Sequence, residues 1–205
     1  MTSKKHIDKD RQDPSVTTDG AGVHPVWRFL YLLIAPIRGW KRIKNACYTP
    51  DYYARNLFFP LLALMAVLCF LKLIYEPAAT LTTTLQTAIC LFVAGFGGYY
   101  AIILLARTFL PVEARVKMDS GFGKVYVMTC LSTLILCIIV LEIIPSLSTV
   151  FIVAPIYSTY LMVKGIRFLR VPDSEFTPTI VLLLMLMLGV PMTIYLMLEL
   201  LMPTA

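Results

Sequence analysis

Five apolar stretches, none with a charge near its centre, take up most of this 205-residue chain. They lie at about 56–75, 81–109, 124–144, 147–163 and 179–201. Some 20 apolar residues in helical form match a hydrocarbon core about 30 Å thick. A backbone with no water to bond to must satisfy its own polar groups, so such stretches cross lipid as helices. The expected fold class is therefore all-α: a polytopic membrane protein with five transmembrane helices, preceded by an interfacial amphipathic helix. Charged residues make up only 15% of the chain and hydrophobic ones 59%, whereas soluble domains carry about 25% charged residues. Residues 24–205 read as one membrane domain, and no second, soluble domain fits beside it.

The charges give the orientation. Of 18 Lys and Arg, only Lys72 falls on the side opposite the rest. The majority side holds 17 basic and 9 acidic residues; the other holds Lys72 against Glu76, Glu142 and Glu199. Positive loops face the cytosol, which places the amino terminus inside and the carboxyl terminus outside. The net charge of +6 is thus spent on membrane orientation. Membrane lipids are the expected partners, with other membrane proteins or a second copy as protein partners, and no nucleic acid.

Residues 1–23 are polar, lack an apolar core and read as a disordered cytosolic tail rather than a signal peptide. From residue 24 to 47 the pattern changes. The run Phe29 to Ile37 is too short to span, and Pro36 can open a helix. Ile37, Trp40, Ile43 and Cys47 then recur at helical spacing, with basic residues on other faces. Both tryptophans, Trp27 and Trp40, lie here. Indole beside a basic face suits a helix lying in the membrane plane. The expected contacts to anionic lipid are Arg38, Trp40, Lys41, Arg42 and Lys44.

Within the second stretch, Ala94, Gly97, Gly98 and Ala101 form two small-xxx-small pairs, the pattern that lets helix backbones approach in lipid. They are the expected packing seam. Lys72 and Glu76 stand at i, i+4 and can pair. The segment from Pro111 through Gly123 reads as a loop with a Ser-Gly turn, and Lys164 to Thr177 as another. Pro155 and Pro191 should kink their helices. Thr82, Thr83, Thr84, Thr87 and Gln86 cluster toward the outer end of the second stretch, where they can line a shallow polar mouth or bond to neighbouring helices. No ionisable residue falls at mid-membrane, where ion-coupled transporters keep one. The five cysteines show no metal or redox spacing, and no catalytic motif occurs. Accordingly no enzyme activity, cofactor or metal is expected.

Three strings resemble a known family: LLIAPIRGWKRIKN, SGFGKVYVMTCLST and APIYSTYLMVKGIRFLRVP. The most specific piece is Tyr157, Tyr160 and Gly165 running into basic residues and Val171-Pro172. Together they resemble the Yip family, membrane proteins named for interacting with Ypt/Rab GTPases, with many bacterial members. The resemblance covers residues 30–200. It departs from the family pattern at Thr129 to Leu134, where a proline early in the third span is expected. It implies five spans with a cytosolic amino terminus, and in eukaryotes a role in vesicle trafficking. The short tail and the absence of an Asn-x-Ser/Thr sequon favour a bacterial inner membrane, with the ER or Golgi membrane as the alternative. The functional expectation is a non-enzymatic organiser of membrane, lipid or partner proteins. A small transporter or lipid-handling protein is the rival.

Overall fold

Proline, threonine and serine set most helix starts in this chain. The computed structural model describes residues 23–143 and 148–202. Its helices are α1 (Pro25–Ile34), α2 (Pro36–Asn45), α3 (Pro50–Tyr75), α4 (Leu81–Phe109), α5 (Val112–Asp119), α6 (Gly121–Ile143), α7 (Ser148–Leu169) and α8 (Asp173–Leu201). No strand occurs among the described residues. Four helices, α3, α4, α6 and α8, are long and apolar enough to cross a membrane. The expected disordered tail, the turn at Pro145 and the last three residues lie outside the described residues.

Each helix start has a local cause. Thr49 accepts a hydrogen bond from the Tyr52 N–H at 3.3 Å, and Pro50 and Asp51 fill the first turn. This is a side-chain cap, then a residue with no N–H to lose, then an acid at the positive end of the dipole. Pro60 cannot bond back to the preceding turn, and α3 widens into a π turn over Ala54–Phe58 just before it. Thr80 and Thr83 form a reciprocal capping box at the start of α4. Ser120 accepts from the Gly123 N–H at 3.1 Å and opens α6.

Two expected loops are largely helical. Residues 112–119 form α5, whose backbone at Ala114 donates to the Glu175 carboxylate at 3.3 Å. The loop expected over Lys164 to Thr177 shrinks to residues 170–172. Its basic residues Lys164 and Arg167 continue α7, and α8 begins at Asp173 with Asp173 and Glu175 in its first turn. Charge alone does not make a loop: cations at a helix C-terminus and acids at an N-terminus complement the dipole and extend helices beyond their apolar cores.

Helix α4 organises the packing. It lies against α8 along one side and α3 along another, while α6 packs on α3 and α7. A methyl group on Gly98 would stand 3.1 Å from Pro191 Cγ, and one on Gly95 would stand 2.6 Å from Leu62 Cδ2. Ala94 is buried and Ala101 half-buried. Gly97 is looser, its nearest neighbour being Ile194 Cδ1 at 3.9 Å. The residues that face other helices most closely are therefore Ala94, Gly95 and Gly98.

Replacing Gly98 by Leu should force α4 and α8 apart and lower the melting temperature in mild detergent, at about 1–3 kcal/mol for an overpacked contact. Gly97→Ala should change stability by under about 0.5 kcal/mol. A Gly98→Leu protein that melts like the wild type would mean that the α4–α8 contact is not close in solution.

Candidate functional site

Two features stand out, one at each end of the bundle. The first begins at Ala35, where the chain reverses between α1 and α2. Pro36 has no N–H to continue α1 and starts α2 instead. The two helices touch through backbone: a methyl on Gly39 would overlap Leu32 Cα at 2.4 Å. Their far ends are tied by Arg28, whose guanidinium donates to the Arg42 carbonyl at 2.6 Å, and by the Tyr48 hydroxyl, which donates to the Val23 carbonyl at 2.6 Å. The Arg42 guanidinium lies 3.9 Å from the Tyr31 ring centroid, within cation–π range. Burial raises the pKa of the Tyr48 hydroxyl, partly offset by the nearby Arg28. The expected single in-plane helix is thus an antiparallel helical hairpin.

Trp40 does not face outward, contrary to its expected place among the lipid contacts. It is fully buried. Its indole N–H donates to the Leu161 carbonyl at 3.0 Å, and its ring packs on Tyr126 with centroids 5.3 Å apart. The Tyr126 hydroxyl donates to the adjacent Met162 carbonyl, also at 3.0 Å. Gly165 makes this possible, since a methyl there would stand 2.6 Å from both rings. Nearer the hairpin apex, the Tyr157 hydroxyl donates to the Leu33 carbonyl. At the other end the Lys44 ammonium donates to the Phe168 carbonyl at 2.5 Å, capping the last turn of α7. Burial, then Arg170 and Lys117, push the Lys44 pKa down. Lys44 is thus a docking residue set in a cationic cluster, whereas Arg38, Lys41 and Arg42 are exposed.

Gly165, Tyr126 and Tyr157 were not singled out as docking residues. One signal was available. A glycine inside a helix, away from any turn, usually has a packing reason.

The second feature lies at the opposite end. Because α8 follows α4 and only grazes α6, a cavity of about 740 Å³ opens between α3, α4, α6 and α8, with Pro155 of α7 also in its wall. Its wall is mostly apolar, with Leu131, Leu134, Ile138 and Met187 among the lining residues. At its end stand Lys72, Glu76, Glu142 and Tyr75. Lys72 pairs with Glu142 at 3.2 Å rather than with Glu76. Glu76 is the cap of the helix, its N–H still donating to the Lys72 carbonyl at 2.9 Å while its backbone turns extended, φ −112° and ψ 102°. The Tyr75 hydroxyl donates to the Glu142 carbonyl at 2.8 Å. The second carboxylate oxygen of Glu142, Oε2, is buried without a hydrogen-bond partner. Beside this cavity lies a smaller one of about 230 Å³, lined by Thr83, Gln86 and Glu199; Thr87 and Tyr195 line both.

No family model matches the chain, and neither a curated protein nor a solved structure does.

In a Trp27→Phe protein the remaining indole, Trp40, should resist a water-soluble quencher, while in Trp40→Phe the exposed Trp27 should be quenched by brominated lipid. Gly165→Ala should drive the hairpin off α7, at about 1–3 kcal/mol, and expose the segment after Lys44 to protease. Cleavage at the wild-type rate in Gly165→Ala would contradict the docking geometry.

Proposed function

We propose that this chain is a five-span membrane protein that acts without catalysis, organising anionic lipid and partner proteins at the basic, cytosolic face of its bundle. The fifth crossing in this reading is α7, a helix of 22 residues, or about 33 Å. The resemblance to the Yip family supports the same topology, and the absence of an Asn-x-Ser/Thr sequon favours a bacterial inner membrane as its place.

The observation that carries the reading is the surface of the docked hairpin. Trp27, Leu30, Ile34 and Ile37 form an exposed apolar stripe, Ile34 at 84% exposure. Exposed Arg38, Lys41 and Arg42 stand beside it. Apolar surface next to uncompensated cations suits the boundary between acyl chains and anionic head groups. The depth agrees. Tyr157, which touches the apex, lies seven residues before Lys164, or about 10 Å along α7, and interfacial helices sit about 5–10 Å deep. Arg38 can reach head groups from there by extending its long side chain. Arg115 and Arg167, on the same side, offer further surface to a protein partner. The rival reading, lipid handling, draws on the cavity at the opposite end.

A reporter active only in the cytosol should work when fused to the amino terminus or after Met118 and fail after Ala205; activity at the carboxyl terminus would remove a span. In nanodiscs of mixed lipid, the intact protein should gather phosphatidylglycerol around it. Changing Arg38, Lys41 and Arg42 together to Gln should weaken this by about 1 kcal/mol per charge, with less effect as salt rises. Equal enrichment by the triple variant would limit these cations to setting orientation.

A further inference from the structure

The cavity between α3, α4, α6 and α8 is built for a ligand with one long apolar part and one polar end. Along α6 its lining runs from Leu131 to Glu142, about 16 Å of helix. That is one leaflet of a hydrocarbon core about 30 Å thick. Its volume of about 740 Å³ falls within the roughly 300–1,000 Å³ of ordinary ligand sites. Water would find few partners along the apolar wall. The walls are membrane-spanning helices, so the medium that reaches an opening there is acyl chain.

The polar end narrows the choice. Lys72 stands with two carboxylates, Glu76 and Glu142, which leaves a net negative charge. One Glu142 oxygen takes the Lys72 ammonium; the other, Oε2, is buried and has no donor, so a ligand in the cavity reaches it through a turn of the carboxylate. A buried carboxylate oxygen without a donor is costly, and a charge-assisted hydrogen bond relieves it. An anionic glycerol head group would bring hydroxyl donors but no cation, and so a net like charge beside the two carboxylates. A quaternary ammonium would bring charge without an N–H. A primary ammonium brings both, while the phosphate beside it can take the remaining donors of Lys72.

We propose that this cavity holds an acyl chain of an aminophospholipid, a phosphatidylethanolamine-type lipid of the leaflet opposite the basic face, with its ammonium on Glu142 and its phosphate on Lys72. The proposal shares the membrane placement of the reading above but uses neither the hairpin nor the family resemblance.

The test is competition. The intact protein in mild detergent is given equal amounts of phosphatidylethanolamine, phosphatidylcholine and phosphatidylglycerol with identical chains, and the retained lipids are counted by native mass spectrometry. The ethanolamine lipid should be retained about tenfold over either other. Glu142→Gln should abolish that preference, and Leu134→Trp, which fills the cavity, should abolish retention. Equal retention of the three lipids by the wild type, an undiminished preference in Glu142→Gln, or a lipid-free dimer that closes the cavity would each overturn the proposal. Should Leu134→Trp fail to fold, the wild-type selectivity and Glu142→Gln decide the matter. Failure here leaves the reporter and phosphatidylglycerol results standing, so the two readings fall separately.

Discussion

Trp40 can lie against α7 only because Gly165 has no side chain. That vacancy admits the indole to the helix backbone, where Trp40 and Tyr126 donate to the consecutive carbonyls of Leu161 and Met162. One contact thus joins α2, α6 and α7. In lipid, apolar side chains gain little by leaving the hydrocarbon, so helices hold together through close packing and interhelical hydrogen bonds. Trp40 supplies both. The rest of the basic end follows from it. With Trp40 and Ile43 turned inward, Lys44 meets the carbonyl end of α7, and Arg38 and Lys41 are left facing out. The cationic surface is therefore held in place by an aromatic anchor rather than by its own attraction to lipid.

At the other end the same rule acts through glycine and leaves a gap. Gly98 lets Pro191 approach α4. A proline in the middle of a helix usually marks a weak point, yet here its ring becomes the contact surface. Helix α8 is drawn to α4 and away from α6, and the cavity is what remains. Lys72 and Glu142 then close one end of it with charge from two different helices. Close packing on one side of α4 and an open cavity on the other are two results of one geometry.

Much of this was legible in the chain. A stretch of some 20 apolar residues has one stable form in lipid, so the helices of α3, α4, α6 and α8 could be read directly. The start of α3 at Thr49, Pro50 and Asp51 is equally local, because caps depend only on neighbours in sequence. What could not be read was the partner of each face. The spacing of Ile37, Trp40 and Ile43 says that one side of α2 avoids water. It does not say whether lipid or protein covers it, and Trp40 and Ile43 turned out to face protein. Lys72 failed in the same way. Its partner in sequence, Glu76, lies past the helix end, and its partner in space, Glu142, is separated from it by two helices. Gly95 stands outside the expected seam because it belongs to neither small-xxx-small pair, although it makes a closer approach than Gly98.

The stretch Thr129 to Leu134, where the resembling family leads one to expect a proline, has a physical reading of its own. The Thr129 hydroxyl donates to the Val125 carbonyl at 2.7 Å, and that of Thr133 donates to the Thr129 carbonyl at 3.0 Å. A hydroxyl bonded back to the preceding turn competes with the backbone N–H for the same carbonyl and bends the helix slightly. A proline removes the N–H altogether and bends it more. The threonines thus act on the same backbone bonds, more weakly, and keep polar atoms in reach. Thr129 uses them. Its oxygen lies 2.8 Å from the hydroxyl of Tyr53, which is wholly buried in α3. A proline at that position would leave the Tyr53 hydroxyl without this partner, at about 1–3 kcal/mol. The threonine hydroxyl and the buried tyrosine thus complement each other across the α3–α6 contact.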